Sequence, residues 1–312
     1  AEILLKEHFK ISGSDSKESE LTDNLTSMGA RIFYGQRAEN ILPGTDLVVY
    51  TAAIKEDNPE FAAAKEAGIP VISYDRLIMN TDAISYYATF DNYLVGKTQG
   101  QFIVDALDLD NQDGPFNIEM VTGDPGDNNV NFFFGGAMDV LQPYIDAGKL
   151  VVPSGQMTKD EVATANWATD AAQARFENIL SSNYADGTPL HAVLASNDST
   201  ALGVTNALAA NYTNDVYPVI TGQDCDIANV PNIVNGKQAM SVFKDTRTLA
   251  TKVVEMVDAI MTGGEAPVND TETYDNGTGI IPSYLCEPVA VTADNYKEIL
   301  IDSGYYTEDQ IQ

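Results

Sequence analysis

The sequence alternates short apolar runs rich in Val, Ile and Tyr with longer amphipathic stretches, and this alternation restricts the fold more than any other feature. The apolar runs predict buried parallel strands, and the amphipathic stretches predict helices that cover both faces of each sheet. Strands are expected at Lys10–Gly13, Arg31–Tyr34, Asp46–Thr51, Pro70–Tyr74, Ala88–Phe90, Phe116–Val121, Leu150–Val152, Ala192–Ala195, Val219–Thr221 and Ala239–Phe243. Helices are expected at Glu18–Met28, Pro59–Glu66, Leu94–Leu107, Thr169–Leu180, Ala201–Ala210 and Leu249–Met261.

The order of these elements predicts an α/β protein with two doubly wound, Rossmann-like lobes. Five strand–helix units precede an acidic connector at Asp108–Gly114, and five follow it. Ligands of such folds bind beyond the carboxyl ends of the strands, so a cleft between the lobes is the expected site. The first residues predict a further amphipathic helix, Ala1–Phe9, whose apolar side chains pack outside the first strand: Ile3, Leu4, Leu5 and Phe9.

The charge and the rare residue types exclude several classes of function. With 17 Lys and Arg against 46 Asp and Glu, the formal net charge of −29 repels nucleic acid and anionic membranes. The sequence contains no run of about 18 apolar residues, so we expect no insertion into a membrane. Two cysteines (Cys225 and Cys286) and two histidines (His8 and His191) are too few for a disulfide framework or a histidine-based metal site, so no metal is expected.

Motifs that suggest catalysis or ion binding are incomplete. Gly96-Lys97-Thr98 ends like a phosphate-binding loop, but Asp91 stands where that motif needs a glycine, so the segment predicts the start of a helix. The acidic residues from Asp108 to Glu119 follow the spacing of a calcium loop, except that Asp113 occupies the glycine position. Cys225 lies between two aspartates that are expected to raise its thiol pKa. We therefore predict no enzymatic activity and no cofactor.

Polar residues recur where the predicted strands end. Carboxylates, amides and guanidinium groups can each grip two hydroxyls of a sugar, and an aromatic ring covers the apolar face of the sugar ring. Any single Asn- or Asp-rich loop is more often a turn or a helix cap. Five such loops at corresponding strand ends, together with the only tryptophan, favour a site for a small polar ligand: 74–76, 127–129, 196–198, 222–224 and 243–245.

Residues from about 73 to 312 resemble the periplasmic sugar-binding proteins of ABC importers, in the branch that binds xylose and several other monosaccharides. The resemblance is carried by Ser73-Tyr74-Asp75-Arg76-Leu77-Ile78, Phe90-Asp91-Asn92, Gly123-Asp124-Pro125-Gly126-Asp127-Asn128-Asn129, Ala195-Ser196-Asn197-Asp198, Gly222-Gln223-Asp224-Cys225-Asp226 and Val242-Phe243-Lys244. It implies a type I periplasmic-binding-protein clamp that binds a pentose or hexose and presents it to a membrane permease.

The same resemblance implies which residues contact the sugar. Trp167 would stack on the sugar face, and six side chains would hydrogen-bond its hydroxyls: Arg76, Asp127, Asn129, Asn197, Asp224 and Lys244. Two of these have alternative roles that remain open. Arg76 could form an ion pair with Asp75 or Asp91, and Lys244 could form a salt bridge at the hinge.

Residues 1 to about 72 resemble a different family, the N-terminal domain of UDP-N-acetylmuramate alanine ligases. The resemblance is carried by 10–21, Gly29-Ala30-Arg31-Ile32-Phe33, 46–54 and Asn58-Pro59-Glu60. It implies that Asp15 and the Thr51–Ile54 loop lie near a nucleotide, although a helix N-cap is the favoured role for Asp15. The glycine-rich loop that cradles the nucleotide and the ligase's other domains have no counterpart in this sequence, so ligase activity is not expected.

The two resemblances meet within residues 67–72, a helix end followed by a strand that both families share. This indicates a recombined chain. Engineering is favoured because a natural fusion more often keeps whole domains, but the sequence leaves both origins open. The expected lobes are 1–110 with 246–284 and 111–245 with 285–312. We expect a monomer whose larger parent acts outside the cytoplasmic membrane, while the chimera itself is recombinant.

The ligase-like segment replaces the first-strand loop that offers basic and aromatic groups to the sugar in the larger family. The leading hypothesis is therefore a monosaccharide-binding scaffold whose affinity is weakened or lost. A functional xylose-, glucose- or galactose-binding protein is the first alternative, and a partial UDP-binding module is the second.

Overall fold

The computed structural model describes residues 1–51 and 57–311. The chain divides into two compact units. The first unit comprises Ala1–Phe90 and Asp245–Cys286, and the second comprises Asp91–Lys244 and Glu287–Gln312. The division after Phe90 falls earlier than the expected end of the first lobe near residue 110, and the lobe boundaries drawn from the sequence stay a prediction.

Each unit combines strands and helices within the described residues. The strands are β1 (Ser12–Asp15), β2 (Arg31–Tyr34), β3 (Val48–Thr51), β4 (Val71–Tyr74), β5 (Tyr86–Phe90), β6 (Phe116–Val121), β7 (Leu150–Val151), β8 (Ala192–Ala195), β9 (Val219–Ile220), β10 (Ser241–Phe243), β11 (Ser283–Cys286) and β12 (Val289–Val291). The helices are α1 (Glu2–Lys6), α2 (Glu20–Ser27), α3 (Pro59–Glu66), α4 (Asn92–Ala106), α5 (Asn129–Asp146), α6 (Thr169–Asn183), α7 (Asp198–Asn211), α8 (Val230–Val234) and α9 (Thr246–Met261).

The first unit contains a parallel sheet in the order β11-β5-β4-β3. β1 and β2 form a separate parallel pair, and within the described residues no ladder connects this pair to β3. Of the three described strands that the ligase-like segment contributes, only one joins this sheet. β3 joins the sheet, whereas β1 and β2 pair with each other.

The N-terminal helix is shorter than predicted. α1 ends at Lys6, and His8 has a φ of 70°, a left-handed conformation that cannot continue a helix. Leu4 is buried in a cluster with Leu249 and Val253 of α9. The helix therefore packs against α9, in a cluster that also includes Ile11 of the predicted first strand.

The second unit is built around a parallel sheet in the order β7-β6-β8-β9, flanked by an antiparallel pair of β10 and β12. Side chains of alternate residues in β6 and β8 enter two different cores. Ile118 and Leu194 pack in the core that contains α4 and α5, while Val121 and Val193 pack with α6 and α7. This sheet is therefore doubly wound, as the sequence predicted.

Helices α4 and α5 pack at unusually close range because glycines occupy their contact. A Cβ atom on Gly96 would overlap the carbonyl oxygen of Phe133, and one on Gly136 would overlap that of Tyr93. Gly96 lies inside α4, because the side chain of Asp91 caps Leu94 at 2.8 Å. The segment Gly96-Lys97-Thr98 thus lies in the first turns of a helix, as predicted, although the helix begins two residues before the predicted Leu94, and Gly96 is a packing glycine.

The acidic segment Asp108–Gly114 lies inside the second unit. The Asp110 carboxylate accepts a hydrogen bond from the Tyr144 hydroxyl at 2.6 Å, and Asp108 accepts one from Asn111 at 2.6 Å. The carboxylates of Asp108 and Asp110 are thus each engaged with a neighbouring side chain.

Candidate functional site

The loop after β6 folds into a tight turn that leads directly into α5. Asp124 accepts a hydrogen bond from the backbone N–H of Gly126 at 2.8 Å, and Asp127 accepts one from that of Asn129 at 3.0 Å. These side-chain-to-backbone bonds are typical of Asp-initiated turns. Asn129, one of the expected sugar contacts, is the first residue of α5 and is 5% exposed.

Trp167 lies over the start of this turn. Its indole N–H donates a hydrogen bond to Oδ2 of Asp127 at 3.3 Å. A side chain at Gly123 would overlap the indole ring, so the ring packs directly on the glycine backbone. Asn166 and Trp167 both adopt left-handed φ values, 54° and 55°, which turn the chain towards α6 after the indole. The structure thus places two expected sugar contacts, Asp127 and Trp167, in direct contact.

Phe133 is the aromatic residue that the sequence analysis missed. Its ring centroid lies 6.2 Å from that of Trp167, with an angle of 71° between the rings, and the residue is 3% exposed. The ammonium group of Lys244 lies 5.6 Å from the centre of the same ring, within the range of cation–π attraction. Phe133 therefore connects Trp167 with Lys244. The available signal was the spacing of four residues from Asn129, which places both on one face of a helix.

Lys244 and Asp224 form an ion pair at the ends of neighbouring strands. The Nζ atom of Lys244 lies 3.0 Å from Oδ1 of Asp224, and the two side chains are 16% and 34% exposed. The backbone of Asp224 has a φ of 93° and donates a hydrogen bond to the carbonyl of Val242 at 2.9 Å. A salt bridge was the alternative role for Lys244. The structure shows that its partner is itself an expected sugar contact.

Asp198 supports the segment that carries Asp224. Its carboxylate is fully buried and accepts hydrogen bonds from Gln238 at 2.7 Å, Ser241 at 2.8 Å and the backbone N–H of Asp226 at 2.8 Å. Burial raises the pKa of Asp198 well above its ordinary value. The sequence analysis placed Asp198 in a polar strand-end motif without a role, and its contacts assign it a supporting one.

Asn197 caps a helix in this structure. Its side-chain oxygen accepts a hydrogen bond from the backbone N–H of Thr200 at 3.0 Å, in a capping box at the start of α7. This is the helix-cap role that was weighed against binding for each Asn-rich loop. Its place after β8 keeps it at the same end of the sheet as the turn after β6.

Arg76 is the one expected sugar contact that lies in the first unit. It follows β4 and is exposed, and its carbonyl accepts a hydrogen bond from the Ser73 hydroxyl at 2.8 Å. The preceding residue, Asp75, has a φ of 64°, and its carbonyl accepts hydrogen bonds from Tyr87 at 2.8 Å and Thr89 at 2.9 Å. These bonds define the backbone from which Arg76 projects.

In the ligase-like segment, Asp15 is not a helix cap. α2 is capped by Ser19, whose side chain accepts a hydrogen bond from Thr22, and the predicted N-cap role of Asp15 is therefore wrong. Asp15 ends β1, and its carboxylate accepts a hydrogen bond from the backbone N–H of Lys17 at 3.2 Å. The backbone N–H of Lys17 holds the pKa of Asp15 below its usual range. Residues 52–54 of the Thr51–Ile54 loop lie outside the described residues.

Both cysteines are buried. Burial raises the pKa of Cys225 well above its usual value, and Asp198, Asp224 and Asp226 act in the same direction. Burial also raises the pKa of Cys286 to about 11. Within residues 1–51 and 57–311, no three or more His, Cys, Asp and Glu side chains are arranged to hold a metal ion. Over the same residues, no helix is long and apolar enough to cross a membrane.

Two family models match different parts of the chain. The periplasmic binding protein domain matches residues 44–265, and the catalytic domain of the Mur ligase family matches residues 1–80. The predicted presence of two families in one chain is confirmed.

Individual relatives divide in the same way. A multiple sugar-binding periplasmic protein of Azospirillum brasilense is 51% identical over 252 residues, which are 80% of this chain and 70% of the relative. A UDP-N-acetylmuramate–L-alanine ligase of Agathobacter rectalis is 63% identical over 78 residues, which are 25% of this chain but only 17% of the ligase. The ligase-like part is therefore a short piece of that enzyme.

Among solved structures, an ABC transporter solute binding protein from Clostridium phytofermentans with bound β-D-glucose superposes with a TM-score of 0.86. The alignment covers 97% of this chain and 100% of that protein, with 56% sequence identity. These matches confirm the predicted α/β fold with two Rossmann-like lobes of the type I periplasmic binding proteins. The chain belongs to the periplasmic binding protein family and carries a Mur-ligase-like segment in its first 80 residues.

Proposed function

We propose that this chain is a monosaccharide-binding protein of the ABC importer type in which the ligase-like segment has weakened sugar affinity. One observation carries the proposal. In the second unit, an unbroken series of contacts lies beyond the strand ends. It runs from Asp127 to Trp167, from Trp167 to Phe133, from Phe133 to Lys244 and from Lys244 to Asp224.

The chemistry of this series suits a sugar. Asp127 and Asp224 are carboxylates that accept hydrogen bonds from hydroxyls, and Lys244 is a donor. The indole of Trp167 offers an apolar surface for the C–H face of a pyranose ring. The relatives named above support the same class of ligand, since one is named for binding multiple sugars and another holds β-D-glucose.

The reason to expect weakened affinity lies in the first unit. Here the end of β1 and the loop after it contain Ser14, Asp15 and Lys17, and the side chains of Ser14 and Asp15 form hydrogen bonds within the ligase-like segment. Ser14 donates to the buried carboxylate of Glu60 at 2.7 Å, and Asp15 accepts from Lys17. Loss of two or three charged hydrogen bonds, each of roughly 1.5–3 kcal/mol, would weaken affinity by about a thousandfold or more.

A thermal-shift titration tests the proposal with xylose, glucose, galactose, arabinose and UDP at millimolar concentration. We expect a small rise in melting temperature with at least one sugar and no rise with UDP. A ligand present at 100 times its Kd stabilises by about 2.7 kcal/mol, so a millimolar Kd gives a smaller but measurable shift.

A pair of charge-matched variants shows whether the shift comes from this site. Asp224→Asn should abolish the sugar-dependent shift. Asp110→Asn removes the same charge from the turn before β6, where the carboxylate bonds Tyr144, and should leave the shift intact. Cooperative melting without a shift for any sugar would mean that the recombination preserved the fold and removed the function, while a shift with UDP alone would favour the nucleotide-binding alternative.

As a sugar-binding protein of this type, the chain would act outside the cytoplasmic membrane as a monomer and deliver its ligand to a permease. The named relative from Azospirillum brasilense is periplasmic, which supports this location for the larger parent. Arg76 stays a predicted sugar contact. No catalytic step is part of the proposal.

A further inference from the structure

Trp167 lies near the end of an unusually long irregular segment. β7 ends at Val151 and α6 begins at Thr169, and the connection between them, here named the tryptophan loop (residues 152–168), contains one short 3₁₀ turn at Ala165–Trp167. Connections of this length without regular structure are uncommon and are usually functional. Such a loop needs specific anchors if it is to hold an aromatic ring in one place.

The last part of the tryptophan loop returns to the edge of β6. The backbone N–H of Thr122 donates to the carbonyl of Val162 at 2.9 Å, and the backbone N–H of Thr164 donates to that of Gly123 at 3.0 Å. Val162 is completely buried. This contact places residues 162–164 beside the turn on which Trp167 packs.

The first part of the tryptophan loop leaves the sheet and is held by a side chain. β6 pairs with β7 at Phe116 and Asn117 and then meets the loop again at Thr122. Glu119 lies between these two points on the strand. Its carboxylate is completely buried and accepts hydrogen bonds from the backbone N–H of Ser154 at 3.1 Å and the Ser154 hydroxyl at 2.6 Å.

Two further groups complete this anchor. Glu119 also accepts a hydrogen bond from the hydroxyl of Tyr184, at the end of α6, at 2.9 Å. Arg175 of α6 donates to the carbonyl of Met120 at 2.9 Å and to the side chain of Gln156 in the loop. The hydroxyl of Ser154 accepts in turn from the backbone N–H of Gln156 at 3.2 Å.

We propose that Glu119 is a positioning residue of the sugar site, which acts through Ser154 to hold the tryptophan loop so that Trp167 stays against Gly123 and Asp127. The carboxylate supplies the acceptor that a neighbouring strand would otherwise offer to the Ser154 N–H. Burial raises the pKa of Glu119, while Ser154, Tyr184 and Arg175 oppose that rise. The positioning of the ring is a property of the free protein, and only its consequence for sugar binding rests on the proposed function.

Intrinsic fluorescence tests the proposal directly because Trp167 is the only tryptophan of the chain. The emission spectrum and acrylamide quenching of the folded protein are measured without sugar for Glu119→Leu, Ser154→Ala and Glu119→Gln. Glu119→Leu should shift the emission to longer wavelength and increase quenching, and Ser154→Ala should do the same to a smaller extent. Glu119→Gln keeps an acceptor oxygen and a similar volume, so its emission should stay close to that of the unsubstituted protein.

Tyr184→Phe is the matched control. It removes one hydrogen bond from the same carboxylate but leaves both bonds to the loop, so it should lower stability without changing the emission of Trp167. If Glu119→Leu does not fold, Ser154→Ala decides. Unchanged emission in folded Ser154→Ala and Glu119→Leu would overturn the proposal, and so would an equal shift in Tyr184→Phe, which would show general loosening.

A second measurement connects the anchor to the ligand. If glucose binds the unsubstituted protein, Ser154→Ala should weaken the affinity for glucose by about tenfold, which corresponds to 1.4 kcal/mol, and Tyr184→Phe should not. If the unsubstituted protein binds no sugar, the fluorescence result still decides the positioning role. The two proposals therefore fail in distinguishable ways.

Discussion

Each unit contains a strand that leads into a turn built on an aspartate: β1 in the first unit and β6 in the second. Asp15 accepts a hydrogen bond from the backbone N–H of Lys17, and Asp127 accepts one from that of Asn129, so both residues bond the N–H two positions later. They differ in the second carboxylate oxygen of Asp127, which accepts the indole N–H of Trp167. The side-chain-to-backbone hydrogen bond is the same in both turns, but Asp127 is the aspartate that also bonds a side chain distant in sequence.

A segment from another family can supply such a turn, but the additional partner of Asp127 comes from a different part of the chain. The second partner of Asp127, Trp167, lies 40 residues further along the chain, in the tryptophan loop. The end of β1 and the loop after it carry polar residues of similar type. These bond their neighbours and the buried Glu60, which belongs to the same ligase-like segment. On the proposed function, we therefore expect sugar affinity to suffer more than the fold when one segment replaces another.

The largest effect is expected from Gly96→Ala in α4. The new Cβ would overlap the carbonyl oxygen of Phe133 and push α5 away, which should lower the free energy of unfolding by about 3 kcal/mol and displace the ring that joins Trp167 to Lys244. Urea denaturation measures the change.

Gly135→Ala is the control for that substitution. Gly135 lies inside α5, and a Cβ there would meet nothing within 4 Å. Alanine has the higher helix propensity, so this variant should gain about 0.5–1 kcal/mol. A loss at Gly135 as large as that at Gly96 would contradict the packing explanation.

A smaller effect is expected from Lys244→Met, which should cost about 1–3 kcal/mol because it leaves the partly buried Asp224 without its cation. The matched variant Lys65→Met removes a lysine from the ligase-like segment, where the pair with Asp82 is 51% and 72% exposed. An exposed pair contributes little, so this loss should stay below about 0.5 kcal/mol. Chemical denaturation of both variants decides, and equal losses would remove the difference between the two regions.

The two aspartates themselves can be compared through Asp127→Ala and Asp15→Ala. Both variants lose a turn hydrogen bond, but only Asp127→Ala also frees the indole N–H, at a cost of about 1 kcal/mol. Trp167 emission should change in Asp127→Ala and stay constant in Asp15→Ala. The idea that tertiary partners distinguish the turns would be wrong if the two spectra were the same.

The smallest effect concerns pH. Burial raises the pKa of Glu119 above its ordinary value of 4.5, so its stabilising contribution is complete below that value and is lost as pH rises through the folded-state pKa. The pKa of Asp15 lies below 3.8, so its contribution is lost only as pH falls through that lowered value. Glu119→Gln should therefore change the slope of unfolding free energy above pH 4.5, and Asp15→Asn should leave the slope there unchanged. Urea titrations across that range would reveal a slope change in the wrong variant.

Much of the fold could be predicted from local patterns. Arg31–Tyr34, Pro59–Glu66 and Phe116–Val121 have the predicted bounds because apolar runs and the Asn58-Pro59 cap signal are local features. β11 and β12 were missed, and the pairing of Ser283 in β11 with Tyr87 depends on a strand that is distant in sequence. α5 was missed as a helix, so no face could be assigned to Phe133.

The site was predictable as a set of residue types at strand ends, but not as a set of contacts. The sequence does not indicate that Lys244 pairs with Asp224, because that contact depends on which strand ends lie side by side in the fold. The capping of α7 by Asn197 is a local contact, and the sequence offers it as the alternative to binding. The roles of the seven expected residues in sugar binding stay a prediction.

The stretch matched by both family models, residues 44–80, contains the complete β3–α3–β4 crossover. Within it, β3 and β4 are joined from Val48 and Val71 to Thr51 and Tyr74 by a parallel ladder. Main-chain hydrogen bonds do not distinguish one side chain from another. The two families therefore overlap where strands are joined by main-chain hydrogen bonds, which do not depend on the identity of the side chains. At such a place, a segment of one family can replace that of the other without changing the architecture.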